Sequence, residues 1–233
     1  MSNIEFHEYS DLEKLSIAAV EYFVDLHKPA NKQTFLVPGG KTPINFYKRL
    51  ALSVNDWTGT SLLLSDERFV PEQNIMSNIG MVKRELINNI AIGNSPEIIE
   101  YFNSKTLTNI DQALYTINSS VSFLPNIKAA FLGIGLDGHT ASLFPDLENL
   151  FFKSPPFIKI SRSNESFDRI SISANLLVKI PNLIFLVSGR DKRNILKEIR
   201  YNSDEKDSLP VKSIIQRAKG KVVILCDQDA ASF

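Results

Sequence analysis

Continuous apolar runs that alternate with helical patterns are the feature that most restricts the fold of this chain. Strand-like segments that end in at least three consecutive apolar residues lie at 33–37, 60–64, 128–132, 183–187 and 222–225. A strand that is buried on both faces reads as an unbroken apolar run, which is typical of parallel sheets. Because helical patterns lie between these runs, the sequence predicts the α/β class, with a mostly parallel sheet covered by helices on both faces, Rossmann-like in type.

Short local signals predict where helices begin. Ser10 and Glu13 have the spacing of a capping box, which predicts a helix start at that point. Thr42 is expected to cap a second helix, with Pro43 as its first residue. Ser77 is expected to cap a third helix.

Size and composition exclude several classes of protein. The 233 residues, 43% of them hydrophobic, suit one α/β domain, which we predict over 1–233. Lys plus Arg and Asp plus Glu number 26 each, so the formal net charge is zero and no nucleic-acid partner is expected. The single cysteine, Cys226, provides neither a disulfide framework nor a cysteine metal site, and no metal or other cofactor is expected. The acidic start of the chain and the shortness of its apolar runs predict a cytoplasmic protein without membrane contact. No obligate protein partner is inferred.

Polar motifs follow four of the apolar runs, at 38–43, 65–68, 133–139 and 188–192. In an open parallel sheet, ligands bind beyond the carboxyl ends of the strands. We therefore expect the four motifs to belong to one site.

The first motif predicts an anion site. Successive backbone N–H groups before a helix, here those of Gly39 and Gly40, attract anions, and Thr42 adds a hydroxyl group. Lys41 adds a charge whose role stays open. The spacing differs from that of a P-loop, and an ordinary strand–turn–helix corner is the alternative interpretation.

Two further cations are candidates for binding an anion. Lys192 falls in the first turn of a helix predicted over 191–199, where the helix dipole disfavours a cation unless an anion binds there. A lysine that reaches into solvent is the alternative. Arg169 begins a short strand predicted over 169–173 and suits a bidentate grip on a phosphate or carboxylate, unless it only protects an edge strand.

His139 is the strongest catalytic candidate. It lies in a glycine-rich loop directly after the run at 128–132. A histidine titrates near neutral pH, so it can take a proton from water and return it. A structural histidine that caps a helix is the alternative. The segment Asp66-Glu67-Arg68 is likewise either part of the site or a solvated loop.

In this order the motifs resemble the glucosamine-6-phosphate isomerase/6-phosphogluconolactonase family, and the likeness covers nearly the whole chain. The segments that carry it are Gly39-Gly40-Lys41-Thr42-Pro43, Asp66-Glu67-Arg68-Phe69-Val70-Pro71 with Ser77-Asn78, Gly133 to Pro145, and Arg169-Ile170-Ser171. The segment around His139 is highly specific, whereas the glycine loop by itself is not.

The resemblance implies hydrolysis of 6-phospho-D-glucono-1,5-lactone to 6-phosphogluconate in the pentose phosphate pathway. It implies a small sugar-phosphate lactone as substrate and His139 as the base, and later the acid, of the reaction. Asp137 or Asp66 would orient that histidine or bind sugar hydroxyls, and the choice between them stays open. The substrate and its phosphate would be held by Gly39, Gly40, Thr42, Arg68, Arg169 and Lys192.

Two details favour a lactonase over the related deaminases. Ser142-Leu143-Phe144-Pro145 stands where the deaminase pattern has a glutamate–proline pair. Arg68 stands where deaminases tend to have tyrosine. An amino-sugar phosphate deaminase or a sugar-phosphate isomerase remains the alternative, since either would use the same histidine for ring opening and proton shuttling.

Overall fold

A computed structural model describes residues 4–103, 109–146, 152, 154–201 and 209–232. Strands and helices alternate along the chain, as the apolar runs predict. In chain order they are β1 (Ile4–Tyr9), α1 (Leu12–Leu26), β2 (Gln33–Val37), α2 (Ile44–Ser53), β3 (Thr60–Leu64), β4 (Asp66–Arg68), α3 (Asn78–Glu85), β5 (Glu97–Ile99), α4 (Ile110–Ser119), β6 (Ile127–Gly133), β7 (Phe157–Ile160), β8 (Arg169–Ile172), α5 (Ala174–Leu177), β9 (Asn182–Val187), α6 (Arg193–Tyr201), α7 (Pro210–Arg217), β10 (Lys221–Asp227) and α8 (Gln228–Ala231). Short 3₁₀ helices lie at Ile87–Asn89, Val121–Asn126 and Arg190–Lys192.

Seven strands form one sheet in the order β1-β10-β9-β6-β2-β3-β5, and every neighbouring pair in it is parallel. The chain runs from β2 outward through β3 to β5 and then returns to β6, on the other side of β2. The β2–β6 boundary is therefore a topological switch point, where sheets of this kind bind ligands. The predicted mostly parallel α/β class is confirmed.

The central strands are buried because helices cover the sheet on both faces. All five residues of β2 are buried, although successive side chains of a strand point to opposite faces. Strand β9 shows the same pattern from Leu183 to Val187. The consecutive apolar residues in these strands are the reason why the sequence alone located them.

A second, antiparallel sheet of three strands has the order β4-β8-β7. The solvated-loop alternative for Asp66-Glu67-Arg68 is wrong, because these residues form β4. Three adjacent charged residues carry no apolar signal from which a strand could be predicted. Arg169 begins β8, which lies between two partner strands, so an edge-strand role for it is also wrong.

Three helix starts differ from the prediction, and one agrees with it. Asp11, not Ser10, caps α1, and its carboxylate accepts a hydrogen bond from the backbone N–H of Lys14. Pro43, not Thr42, is the N-cap of α2, and no side chain caps this helix. The Thr42 hydroxyl therefore does not cap α2. Ser77 caps α3 as expected, accepting from the backbone N–H of Gly80 at 3.1 Å. The fourth start, near residue 191, is a short 3₁₀ turn before α6.

Candidate active site

The four predicted motifs meet at one edge of the large sheet. Strands β9, β6, β2 and β3 are consecutive neighbours and parallel, so their carboxyl ends lie side by side. A cavity of about 340 Å³ opens there, and each of the four following segments contributes to its lining. Its described lining includes four cations, Lys41, Arg68, Arg169 and Lys192, but a single carboxylate, Asp66. This lining favours an anionic ligand.

A larger cavity of about 830 Å³ lies elsewhere, beside α4 and the amino-terminal ends of β2 and β3. Among the described residues that line it, one cation, Lys32, stands against Glu97 and Glu100. It contains neither the glycine loop nor His139, so volume alone does not identify the site.

His139 is held by its neighbour Asp137. The Nδ1 atom of His139 lies 2.5 Å from Oδ1 of Asp137, and the same oxygen accepts from the backbone N–H of His139 at 3.2 Å. Partial burial raises the pKa of Asp137, but the hydrogen bond from His139 and the imidazole charge outweigh it, and the net pKa lies below its ordinary value. A carboxylate can only accept, so Nδ1 carries the proton and Nε2 remains as the acceptor.

The loop around His139 depends on a glycine at position 135. A Cβ atom on Gly135 would lie 2.1 Å from Nδ1 of His139, so the imidazole rests directly on this backbone. The backbone N–H of Gly135 donates to the carbonyl of His139 at 2.7 Å, which closes the loop. The position of His139 is therefore fixed by the local chain geometry. Its side chain is 33% exposed, and the residue lines the cavity.

The buried carboxylate of Asp66 has several partners, none of which is His139. Its Oδ2 accepts from Ser142 Oγ at 2.6 Å, and its Oδ1 from Ser65 Oγ at 3.2 Å. Arg169 Nη1 lies 3.7 Å from the same Oδ2. Asp66 thus joins β4 and β8 to the segment after His139, and the orienting contact of the histidine belongs to Asp137.

Glu67 supports the site from behind. Its carboxylate accepts from the backbone N–H groups of Asn78 and Ile79, at 2.9 and 2.6 Å, and therefore binds the amino terminus of α3. The neighbouring Asn78 donates from Nδ2 to the carbonyl of Asp66, and its side chain occupies the space where a Cβ on Gly39 would lie. Burial raises the pKa of Glu67 to about 7, against the lowering effect of these backbone donors.

The glycine loop lines the cavity as predicted. Gly39, Gly40 and Thr42 all belong to the lining, and so does the exposed Lys41. The buried hydroxyl of Tyr47 donates to the carbonyl of Pro38 and anchors the start of the loop to α2. The loop is thereby fixed at its base, while its backbone faces the cavity.

The predicted cations differ in how many of their donor groups are already hydrogen-bonded within the protein. Arg68 donates from Nη1 to the carbonyl of Met76 at 2.7 Å, and its buried Nε has no hydrogen-bond partner among the described residues. Arg169 is buried, and its Nε and Nη2 donate to the two oxygens of Glu165 at 2.9 and 2.8 Å. The bidentate face of Arg169 is therefore occupied within the protein, and it presents charge to the cavity. Lys192 follows Gly189 in the 3₁₀ turn and lines the cavity.

One supporting residue was missed in the sequence. The carboxylate of Asp227, at the end of β10, accepts from Ser188 Oγ at 2.5 Å and from the backbone N–H of Gly189 at 3.0 Å. It thus holds the segment that leads to Lys192. The acidic residue at the end of an apolar strand was the available signal, and the sequence analysis left it without a role.

The described residues contain neither a metal-binding cluster nor a membrane-spanning helix. Within the described ranges, no three residues of the His, Cys, Asp and Glu types are grouped so that they could hold a metal ion. No helix in the part of the chain that the structure describes has both the length and the apolar character to cross a membrane.

Comparison with known proteins defines the class. Residues 10–224 match the family model described as glucosamine-6-phosphate isomerases/6-phosphogluconolactonase. The chain belongs to this family, which confirms the resemblance in its motifs. Curated relatives carry the more specific name. The 6-phosphogluconolactonase of Haemophilus influenzae is 32% identical over 191 residues, which is 79% of each chain. That of Helicobacter pylori is 29% identical over 220 residues, covering 92% of this chain and 93% of the relative.

Solved structures show the same fold. A 6-phosphogluconolactonase from Shewanella baltica superposes with a TM-score of 0.83 at 20% identity, covering 97% of this chain and 98% of that one. A monomeric glucosamine-6-phosphate deaminase superposes with a TM-score of 0.79 at 16% identity, covering 98% and 99%. Both activities therefore occur on this architecture, and the fold alone does not choose between them.

Proposed function

We propose that this protein is a 6-phosphogluconolactonase, which hydrolyses 6-phospho-D-glucono-1,5-lactone to 6-phosphogluconate. The observation that carries the proposal is His139, with Nδ1 bound by Asp137 and Nε2 left as an acceptor, in a cavity lined by four cations and a glycine loop. The names of the relatives support the same reaction.

Hydrolysis of a lactone needs a base for water and an acid for the ring oxygen. Nε2 of His139 accepts a proton from water as the water oxygen attacks the lactone carbonyl carbon. The positive charge of the cavity stabilises the oxyanion that forms. When the carbon–ring oxygen bond breaks, the imidazolium returns its proton to that oxygen. The products are the open acid and a neutral His139, so the proton balance closes.

In this reaction Asp137 stabilises the imidazolium form of His139 and fixes the tautomer of its neutral form. The hydrogen bond at Nδ1 leaves Nε2 as the only ring atom that can accept from water. Asp66 is buried against Ser142 and Arg169 and holds the cavity wall in place. In this way it contributes to the catalytic environment of His139.

We assign the substrate phosphate to the backbone of Gly39 and Gly40 and to the Thr42 hydroxyl, with Lys192 as the charge partner. Arg68 and Arg169 complete the positive lining. Because Glu165 occupies two donors of Arg169, this arginine acts on the phosphate through its charge or through Nη1. A charge-assisted contact contributes about 1.5–3 kcal/mol, so the phosphate gives a large preference for phosphorylated over plain lactone.

The test is a lactonase assay with freshly generated 6-phosphogluconolactone, corrected for spontaneous ring opening. We expect turnover by the native protein and only background opening with His139→Asn. The same preparations are given glucosamine 6-phosphate, and ammonia release is measured. Ammonia release without lactone turnover would replace the proposed function with the deaminase alternative.

A further inference from the structure

Phe144 forms a further contact of the His139 ring, beside those with Asp137 and the backbone of Gly135. The two ring centroids are 4.6 Å apart, with 44° between the ring planes. Phe144 is 4% exposed and does not belong to the described lining of the cavity, so its ring reaches the histidine from inside the protein.

A single hydrogen bond does not fix the plane of an imidazole. The bond from Nδ1 to Asp137 sets one point of the ring, and small changes in the side-chain torsions of His139 can still tilt the ring and turn Nε2. The backbone of Gly135 limits this movement where it touches the ring. The ring of Phe144 adds a further boundary, so the direction of Nε2 is determined by packing as well as by hydrogen bonding.

Phe144 is itself held by charge. The guanidinium carbon of Arg162 lies 3.8 Å from its ring centroid, within the range of a cation–π contact. The guanidinium carbon of Arg169 lies 5.6 Å from the same centroid. Arg162, like Phe144, is absent from the described cavity lining, so neither is placed to contact a substrate.

We infer that Phe144, held by Arg162, is a positioning residue that keeps Nε2 of His139 directed at the attacking water. This inference rests on the proposed function, because it assigns His139 as the base. A misplaced catalytic group can lower a rate by about 100-fold even when it moves by about 1 Å. The effect belongs to kcat, since substrate binding uses other residues.

The test compares Phe144→Leu and Phe144→Tyr with the native protein. We expect Phe144→Leu to lower kcat by about 10-fold or more while KM stays within about twofold, and Phe144→Tyr, which keeps the ring, to restore most of the rate. Phe157→Leu is the matched control, because Phe157 is fully buried against Tyr101, at a centroid distance of 5.4 Å. It should lower stability and leave kcat nearly unchanged.

A spectroscopic readout tests the positioning without any assay. In the native protein, the signals of the His139 ring protons should show a ring-current shift caused by Phe144. These signals are identified by their absence from the spectrum of His139→Asn. That shift should disappear in Phe144→Leu and persist in Phe144→Tyr. If the native protein has no lactonase activity, the proposed function fails, and this shift then tests the contact between Phe144 and His139 on its own.

Two results would overturn the inference: unchanged His139 shifts in folded Phe144→Leu, or kcat within about twofold of native in that variant. Should Phe144→Leu fail to fold, Arg162→Ala takes its place. We expect it to lower kcat at least about threefold at constant KM, and a native kcat in Arg162→Ala would then reject the inference.

Discussion

Replacing Asp137 by asparagine tests how His139 is prepared for its role. Asp137 Oδ1 lies 2.5 Å from His139 Nδ1, and the net pKa of this carboxyl lies below its ordinary value because the histidine outweighs the effect of burial. Asparagine keeps the size and one acceptor oxygen but removes the charge. It can also turn its amide N–H₂ toward Nδ1, which would favour the wrong tautomer of the imidazole.

The magnitude follows from the exposure of the pair. A hydrogen bond to a charged group contributes about 1.5–3 kcal/mol. The Asp137 side chain is 46% exposed, so solvent weakens its interaction and the lower end of that range applies. About 1.5 kcal/mol corresponds to about a tenfold loss of kcat. KM should change little, because the phosphate contacts lie on other loops.

The assay measures kcat and KM of Asp137→Asn and of the native protein after subtraction of spontaneous hydrolysis. Asp66→Asn is the comparison variant. It should destabilise the fold by about 1–3 kcal/mol, since Asp66 is buried and bound by Ser142. A native kcat in folded Asp137→Asn, together with a large loss of kcat at unchanged stability in Asp66→Asn, would transfer the orienting role to Asp66.

Further predictions concern the base, the phosphate, a buried carboxyl and the lack of a metal requirement. His139→Ala should lower turnover by about 10²–10⁴-fold with the fold intact, and near-native turnover would remove it as the base. Lys192→Ala and Arg169→Ala should each lower kcat/KM by about 10-fold or more, and equal use of phosphorylated and plain lactone by the native protein would contradict both. Burial raises the pKa of Glu67 to about 7, so the folded protein holds this proton more tightly than the unfolded chain does. The free energy of unfolding should therefore fall by about 3 kcal/mol as pH rises from about 4.5 to above 7, and Glu67→Gln should flatten this slope in denaturant titrations. Cys226→Ser should leave turnover nearly intact, since burial raises the pKa of the Cys226 thiol to about 11. Chelation by EDTA should also leave turnover nearly intact, because the described residues offer no cluster that could hold a metal ion. Activity that is lost on chelation and restored by a divalent ion would refute this mechanism.

The strands of the large sheet illustrate what local patterns can and cannot reveal. The runs that became β2, β6 and β9 were found because each contains three or more consecutive apolar residues, as strands buried on both faces require. Strand β1 was missed because it lies at the sheet edge and none of its residues is fully buried, so it contains no apolar run. Strand β4 was missed because its carboxylates are satisfied by partners far along the chain.

The sequence by itself determined the class of fold, the edge at which the site lies, and the residue types in it. Those features depend on local apolar periodicity, on glycines that permit close approach, and on the rule that parallel strands present their carboxyl ends together. His139 and Asp137 are two residues apart in the chain, but the sequence left open whether Asp137 or Asp66 contacts the imidazole.

Only the tertiary structure decided which partner each charged group has. Asp66 meets Ser142, 76 residues later, and Glu67 binds the start of α3 through Ile79, 12 residues later. Such partners are selected by packing, because a buried charge is stable only beside groups that the folded chain brings to it. No local pattern encodes those distances, so the choice between Asp66 and Asp137 at the imidazole required the folded chain.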